Sequence, residues 1–310
     1  MKGFIKGLIS VAIPFLGAWY AYASTENILI TLAVFAVILA VVLFIFRANL
    51  LLLAGMNVFG KNREKGLKLM RSAYKTGKLK PSAQLYYAYI ILRNGELDEA
   101  ETVMNKATVI GKHALKEEEL KACEFNRAII TWKRGDLNSA IMEMEELYSE
   151  GYKTRGLYGS LGSFYNLNKE YDKAIELSIE GMDFNPDDLV TQDNLGQAYI
   201  GKGMLDEAIA VYDKLLAKVP AFLEAYYNYA TIMENRGMLT EAKEYYEKAL
   251  TYEEKYLSTV THDEICEALS RIEDFSINTD DIDNPGSAKQ QPTEAETDAD
   301  VITETNDTQE

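Results

Sequence analysis

Histidine and cysteine are nearly missing from this 310-residue chain, two of each, and that scarcity removes most metal and nucleophile chemistry at the outset. His113 and His262 stand far apart, and neither has a second metal-type ligand at a recognised spacing. Cys123 and Cys266 fall on separate predicted helices, which argues against a disulfide framework and fits a reducing compartment; both read as small buried or half-buried side chains. No glycine-rich phosphate loop occurs. The acidic runs Glu117 to Glu119 and Glu145 to Glu146 read as solvated helix faces rather than paired catalytic acids. Proline is down to six residues, and strand-like alternation is lacking, so the apolar 47 % of the chain must be buried by helices. The expectation is an all-α protein with no enzymatic activity, no metal and no cofactor.

Charge of either sign is absent from residues 28–46, and residues 3–22 carry only Lys6. At ~1.5 Å per residue, about 20 apolar residues cross a ~30 Å hydrocarbon core. Both stretches therefore qualify as transmembrane helices, and the link from Ala23 to Asn27 is so short that they must form a hairpin. Trp19, Tyr20 and Tyr22 cluster at its tip, as amphipathic aromatics do at a membrane interface. Lys2 and Lys6 precede the first span, Arg47, Lys61, Arg63 and Lys65 follow the second, and the tip holds only Glu26, which places both termini in the cytoplasm of a cell-membrane protein. A rival reading takes Ala21 to Ala23 as a signal-peptidase site; cleavage would remove the first span and still leave the remainder facing the cytoplasm.

The net charge of −16 is unevenly spread: +8 over residues 47–80, −16 over 81–275 and −9 over 276–310. So acidic a chain beyond residue 80 argues against nucleic-acid binding. The basic 47–80 segment is placed to meet anionic lipid headgroups, each near-surface cation contributing on the order of 1 kcal/mol.

Beyond the spans the chain repeats itself. Alanine recurs at 100, 140, 174, 208 and 242, the last three intervals being 34 residues each. Counting from starts near 81, 121, 155, 189 and 223, these alanines take position 20 of every copy, while position 8 is Ala88, Ala128, Gly162, Gly196 and Ala230. Two antiparallel helices approach closely only where neither presents a large side chain, so small residues mark the crossing. Larger apolar residues at positions 4, 7, 11 and 24, such as Tyr158, Leu161, Tyr165, Tyr212, Tyr226 and Tyr246, share a helix face around it. Position 15 is Gly95, Gly135, Gly203 and Gly237, at the turn between helices, and Pro186 and Pro220 stop the second helix. The 40-residue interval from Ala100 to Ala140 implies a six-residue insertion near His113 to Glu118.

These residues resemble the tetratricopeptide repeat family, most closely in the stretches at 171–177, 194–199 and 205–212. The resemblance implies a superhelix of helix pairs whose concave side, built from first helices, binds a protein or peptide. In this chain that groove would be lined by Leu85, Tyr89 and Leu92, then Phe125, Asn126, Ile129 and Trp132, then Ser163 and Asn166, then Asn194 and Gln197, and finally Tyr227, Asn228 and Thr231. Within the family, asparagine at the sixth position can bond a ligand backbone. A clamp for a terminal carboxylate would need Lys or Arg at positions 2, 5 or 6, and these copies have none.

The domain plan is then a hairpin over 1–46, a divergent first repeat over 47–80, an array over 81–256, a capping helix over 257–275 and a disordered acidic tail over 276–310. Projected one period back, the repeat places Ala54 at position 8, Gly66 at 20 and Ala73 at 27. Two functions fit: a membrane-anchored scaffold or adaptor that binds a partner in the groove, or a constitutive subunit or assembly factor of a membrane complex with the hairpin as interface. The partner's identity and the oligomeric state are left open.

Overall fold

The computed structural model describes the backbone of residues 2–283 and the side chains of residues 12–273. Among the described residues every regular element is a helix. In order they are α1 (Lys2–Thr25), α2 (Ile28–Phe59), α3 (Arg63–Lys75), α4 (Pro81–Arg93), α5 (Leu97–Gly111), α6 (Glu117–Lys133), α7 (Leu137–Ser149), α8 (Arg155–Leu167), α9 (Tyr171–Phe184), α10 (Leu189–Gly201), α11 (Leu205–Leu216), α12 (Leu223–Asn235), α13 (Leu239–Leu250) and α14 (His262–Asp283). Each packs on its neighbour, and alternate first helices also touch, as α8 does α10. That is the contact pattern of a tetratricopeptide-like superhelix.

The N-terminal hairpin turns in two residues. Thr25 ends α1, and the Asn27 side chain accepts from the Leu29 and Ile30 N–H groups at 2.9 and 3.4 Å, capping α2. Phe15 meets Phe35 across the pair with ring centroids 5.3 Å apart. Helix α2 is 32 residues long, and its length and composition are sufficient to cross a membrane.

That helix does not stop at residue 46. It continues without a break through Arg47 to Phe59, and its C-terminal portion packs against α3 where a divergent repeat was expected. The frame is displaced by one residue from the projection. Gly55 faces α3 and is buried, whereas Ala54 is exposed. A Cβ on Gly55 would stand 2.6 Å from Met70 Cγ, and one on Gly66 would stand 2.5 Å from the Phe59 backbone, so two glycines permit the crossing. Ala73 and Met70 are fully buried beside them. Arg71 ties this pair onward, its guanidinium pairing with Glu96 and, at 2.9 Å, with Glu99, which also accepts from the Tyr87 hydroxyl at 2.6 Å.

In the array proper, the position-20 alanines Ala100, Ala140, Ala174, Ala208 and Ala242 are all at 0 % exposure, as the crossing argument requires. The insertion is absorbed as helix: α5 runs to Gly111, and α6 begins at Glu117, four residues before the expected start at 121. Turn glycines Gly95, Gly135, Gly203 and Gly237 adopt φ of +91°, +94°, +73° and +75°. The third array copy has Lys169 at the equivalent position, with φ of +61°. A side chain in that region costs roughly 1–2 kcal/mol against glycine's freedom. Lys169→Gly is therefore expected to stabilise the chain by about 0.5–1 kcal/mol; an unchanged or lower denaturation midpoint would refute this.

The apolar core has two parts. One cluster runs from Ala48 on α2 to Ala198 on α10, and a second runs from Ala208 on α11 to Ile272 on α14. Between them lies a polar seam on α10, where Thr191, Gln192, Asp193 and Asn194 are all buried. Thr261 and Glu264 cap α14 reciprocally, the Thr261 N–H donating to Glu264 at 2.7 Å and the Glu264 N–H to the Thr261 hydroxyl at 3.2 Å. Helix α14 runs on past residue 275 to Asp283, and the rest of the acidic tail, 284–310, lies outside the described residues. Both cysteines are free; Cys123 is buried, but Cys266 is exposed on α14 rather than half-buried.

Candidate partner-binding groove

The first helices α4, α6, α8, α10 and α12 line the inside of the superhelix and enclose a cavity of about 600 Å³. Its opposite wall is the non-helical segment 253–259 that follows α13. Of the expected groove residues, Tyr89, Ile129, Trp132 and Ser163 reach this cavity. Their apolar company is Phe164, Val190 and Phe222, and Trp132 packs on Phe164 with centroids 4.9 Å apart.

The other expected residues do different work. Leu92 is 1 % exposed and belongs to the core, while Leu85 and Phe125 pack against the same cluster, Phe125 facing Tyr152 at 6.3 Å. Asn126 donates to the Ala122 carbonyl of its own helix at 2.7 Å. Asn166 and Asn194 are buried, not open to a ligand. Asn166 donates to the Asn194 carbonyl and Asn194 to the Gly159 carbonyl, each at 2.8 Å, while the Ser163 hydroxyl donates to Asn194 Oδ1 at 2.9 Å. These bonds lock α8 to α10. Asn228 is likewise buried and donates to Asp193 at 3.2 Å. Tyr227 packs on Tyr246 at 5.4 Å, Thr231 bonds its own helix at the Tyr227 carbonyl, and Gln197 is half-buried outside the cavity. Asn166, Asn194 and Asn228 thus hold successive repeats together, because a buried amide must find a partner and a neighbouring first helix supplies one.

Chemistry the repeat pattern did not foretell sits at the polar end of the cavity. Asp188 is 1 % exposed and accepts from Arg155 Nε at 2.8 Å and from the Thr191 hydroxyl at 2.7 Å. Asp193 accepts from the Tyr212 hydroxyl at 2.8 Å. Burial pushes its carboxyl up to about 7, the Tyr212 and Asn228 donors pull it down, and the neighbouring Glu224 adds to the rise. Arg93 stands over Tyr89 at 5.6 Å, and the half-buried Lys133 lies 4.1 Å from the Trp132 ring centroid. Among the described residues no group of three or more His, Cys, Asp or Glu is arranged to hold a metal ion. The groove offers an apolar, aromatic floor near α4 and α6, and acidic and basic side chains towards α8, α10 and α12.

Residues 194–255, which span most of α10 through the segment after α13, match the tetratricopeptide repeat family profile. Among curated proteins, the peroxisomal targeting signal receptor of Kluyveromyces lactis is 34% identical over 94 residues, covering 30% of this chain and 17% of that protein. The receptor of the same name from Saccharomyces cerevisiae is 27% identical over 132 residues, covering 39% of this chain and 21% of the relative. The chain thus spans about a fifth of the length of these relatives. A solved tetratricopeptide repeat protein from Parabacteroides merdae shares the fold with a TM-score of 0.58 at 13% identity, covering 85% of this chain and 99% of the other. The repeated small-residue crossings, the superhelix and the profile match over 194–255 agree on a tetratricopeptide-like fold.

Proposed function

We propose that this protein is a non-catalytic scaffold that holds a cytoplasmic tetratricopeptide groove at a membrane and binds a partner protein there through an extended segment. The observation that carries the reading is the cavity lined by Tyr89, Ile129, Trp132 and Phe164 on the concave side. Tetratricopeptide arrays bind proteins, and the curated relatives are named as receptors for a targeting signal, which accords with recognition of a peptide segment. The unbroken α2 supports the anchoring: an apolar stretch long enough to span is continuous with the first repeat. The two-span hairpin with both ends cytoplasmic rests on the flanking Lys and Arg. Contact of the 47–80 segment with anionic headgroups draws support from Lys61, Lys65, Lys68, Lys75, Lys78 and Lys80, all exposed beside the end of α2.

The test is photocrosslinking in intact membranes from a benzoylphenylalanine placed at 89 or at 160, both on the cavity wall, and from one at the exposed Val109 of α5 outside it. A discrete crosslinked partner from positions 89 and 160 but not from 109 is expected. The same products from all positions would rule out groove binding, and a reporter after residue 310 that acts outside the cell would overturn the orientation.

A further inference from the structure

The segment after α13 does not leave the array but turns back across its mouth. Both its ends are fastened to the last repeat. The Tyr252 ring stacks on Tyr226 at 4.9 Å with an interplanar angle of 12°. Thr259 N–H donates to Glu224 at 3.1 Å, and Val260 is buried in the second core cluster. Its middle reaches the opposite end of the chain. Glu253 pairs with Arg63 of α3 at 3.0 Å across 190 residues of sequence. The Tyr256 ring covers the Gly95 turn, 3.1 Å from where a Cβ would stand, and lies 5.1 Å from Lys133 Nζ, the ammonium that also faces Trp132. Leu257 packs against the first core cluster.

We propose that residues 252–259 are a resident ligand of the groove, a strap that closes the superhelix and that a partner segment must displace in order to bind. The reading rests on groove binding as proposed above and names what the partner must resemble: an acidic residue, then an aromatic and an aliphatic residue three and four positions later, matching Glu253, Tyr256 and Leu257. Arg63 receives the acid, the Gly95 turn with Lys133 receives the ring, and the apolar core edge receives the aliphatic side chain.

The contacts are of a strength suited to exchange. The Arg63–Glu253 pair is exposed at 55 % and 62 %, and Tyr256 remains 37 % exposed. So exposed a pair contributes little net stability. A segment tethered at both ends nevertheless acts at an effective concentration of roughly millimolar, so weak contacts suffice to keep it seated. The apparent affinity of any competitor falls by the fraction of molecules that are open.

The test uses the full chain in detergent micelles and a labelled synthetic peptide of residues 252–260. Tyr256→Ala, which removes the ring from the strap, is expected to raise the peptide's affinity at least tenfold over wild type. Adding Ser160→Trp, which fills the cavity from its wall, should abolish that gain. Hydrogen exchange supplies a second readout: the 252–259 amides should exchange at least tenfold faster in Tyr256→Ala, with α8 and α10 unchanged. Equal peptide affinity for wild type and Tyr256→Ala, or no binding to either, would overturn the strap. If a groove-specific partner is still crosslinked from positions 89 and 160, only the strap inference fails; if that crosslinking is also lost, groove binding itself fails.

Discussion

Gly196→Ala is expected to destabilise the array by about 2–3 kcal/mol. A Cβ at that position would stand 2.5 Å from Cε2 and 2.9 Å from Cζ of Tyr212. The ring has no room to yield, being fully buried, and its hydroxyl is engaged with Asp193 at 2.8 Å. Accommodation requires α10 and α11 to separate, and in a one-dimensional stack such a loss falls on one repeat and its two interfaces. Urea unfolding with hydrogen exchange should show α10 to α13 losing protection before α8 and α9. Stability within about 0.5 kcal/mol of wild type would show that the crossing is looser than the geometry requires.

The second large effect concerns Asp193, and its sign is unusual for a carboxyl. Most native carboxylates are held below their ordinary range, so acid removes stability. Here burial, assisted by Glu224, pushes the group up to about 7 despite the Tyr212 and Asn228 donors. Between about pH 4, where the unfolded side chain titrates, and pH 7, the folded state therefore holds a proton that the unfolded state has released. This group's contribution is present below pH 4 and is lost as pH rises to about 7. Asp193→Asn keeps an oxygen for Tyr212 and Asn228 and has no charge to bury. At pH 8 it should be more stable than wild type by about 2 kcal/mol, with the difference shrinking towards zero near pH 4. Denaturant midpoints at pH 5 and 8 decide it, and a variant weaker than wild type at pH 8 would sink the argument.

What the sequence disclosed and what it withheld divide along physical lines. The alanines at 100, 140, 174, 208 and 242 were legible because close helix crossings leave their mark in side-chain size, a property of the residue alone. The direction of Asn194 and Asn228 was not, since an amide at the sixth position bonds a ligand or a neighbouring helix according to how tightly successive repeats stack. Gly162 and Gly159 decide that matter here. A Cβ on Gly162 would stand 2.7 Å from Asn194 Nδ2, so the glycine admits the amide that seeks the Gly159 carbonyl. The one-residue displacement from Ala54 to Gly55 arose because the period was carried back across a join where one unbroken apolar helix, rather than a turn, leads to α3. The course of residues 251–261 depends on the curvature of the whole array, which no local pattern encodes. One sign was present: Pro186 and Pro220 close the two preceding copies at position 32, and the copy that leads into this segment has Glu254 there.

Its continuity makes α2 a shaft and fixes the heading of everything mounted on it. A helix advances by ~1.5 Å and turns by about 100° per residue. One residue inserted between Arg47 and Ala48 would raise the groove by little and swing it through about a quarter-turn; four would restore nearly the original bearing some 6 Å higher. The direction in which the concave side opens, relative to the apolar start of α2, is therefore set by a residue count.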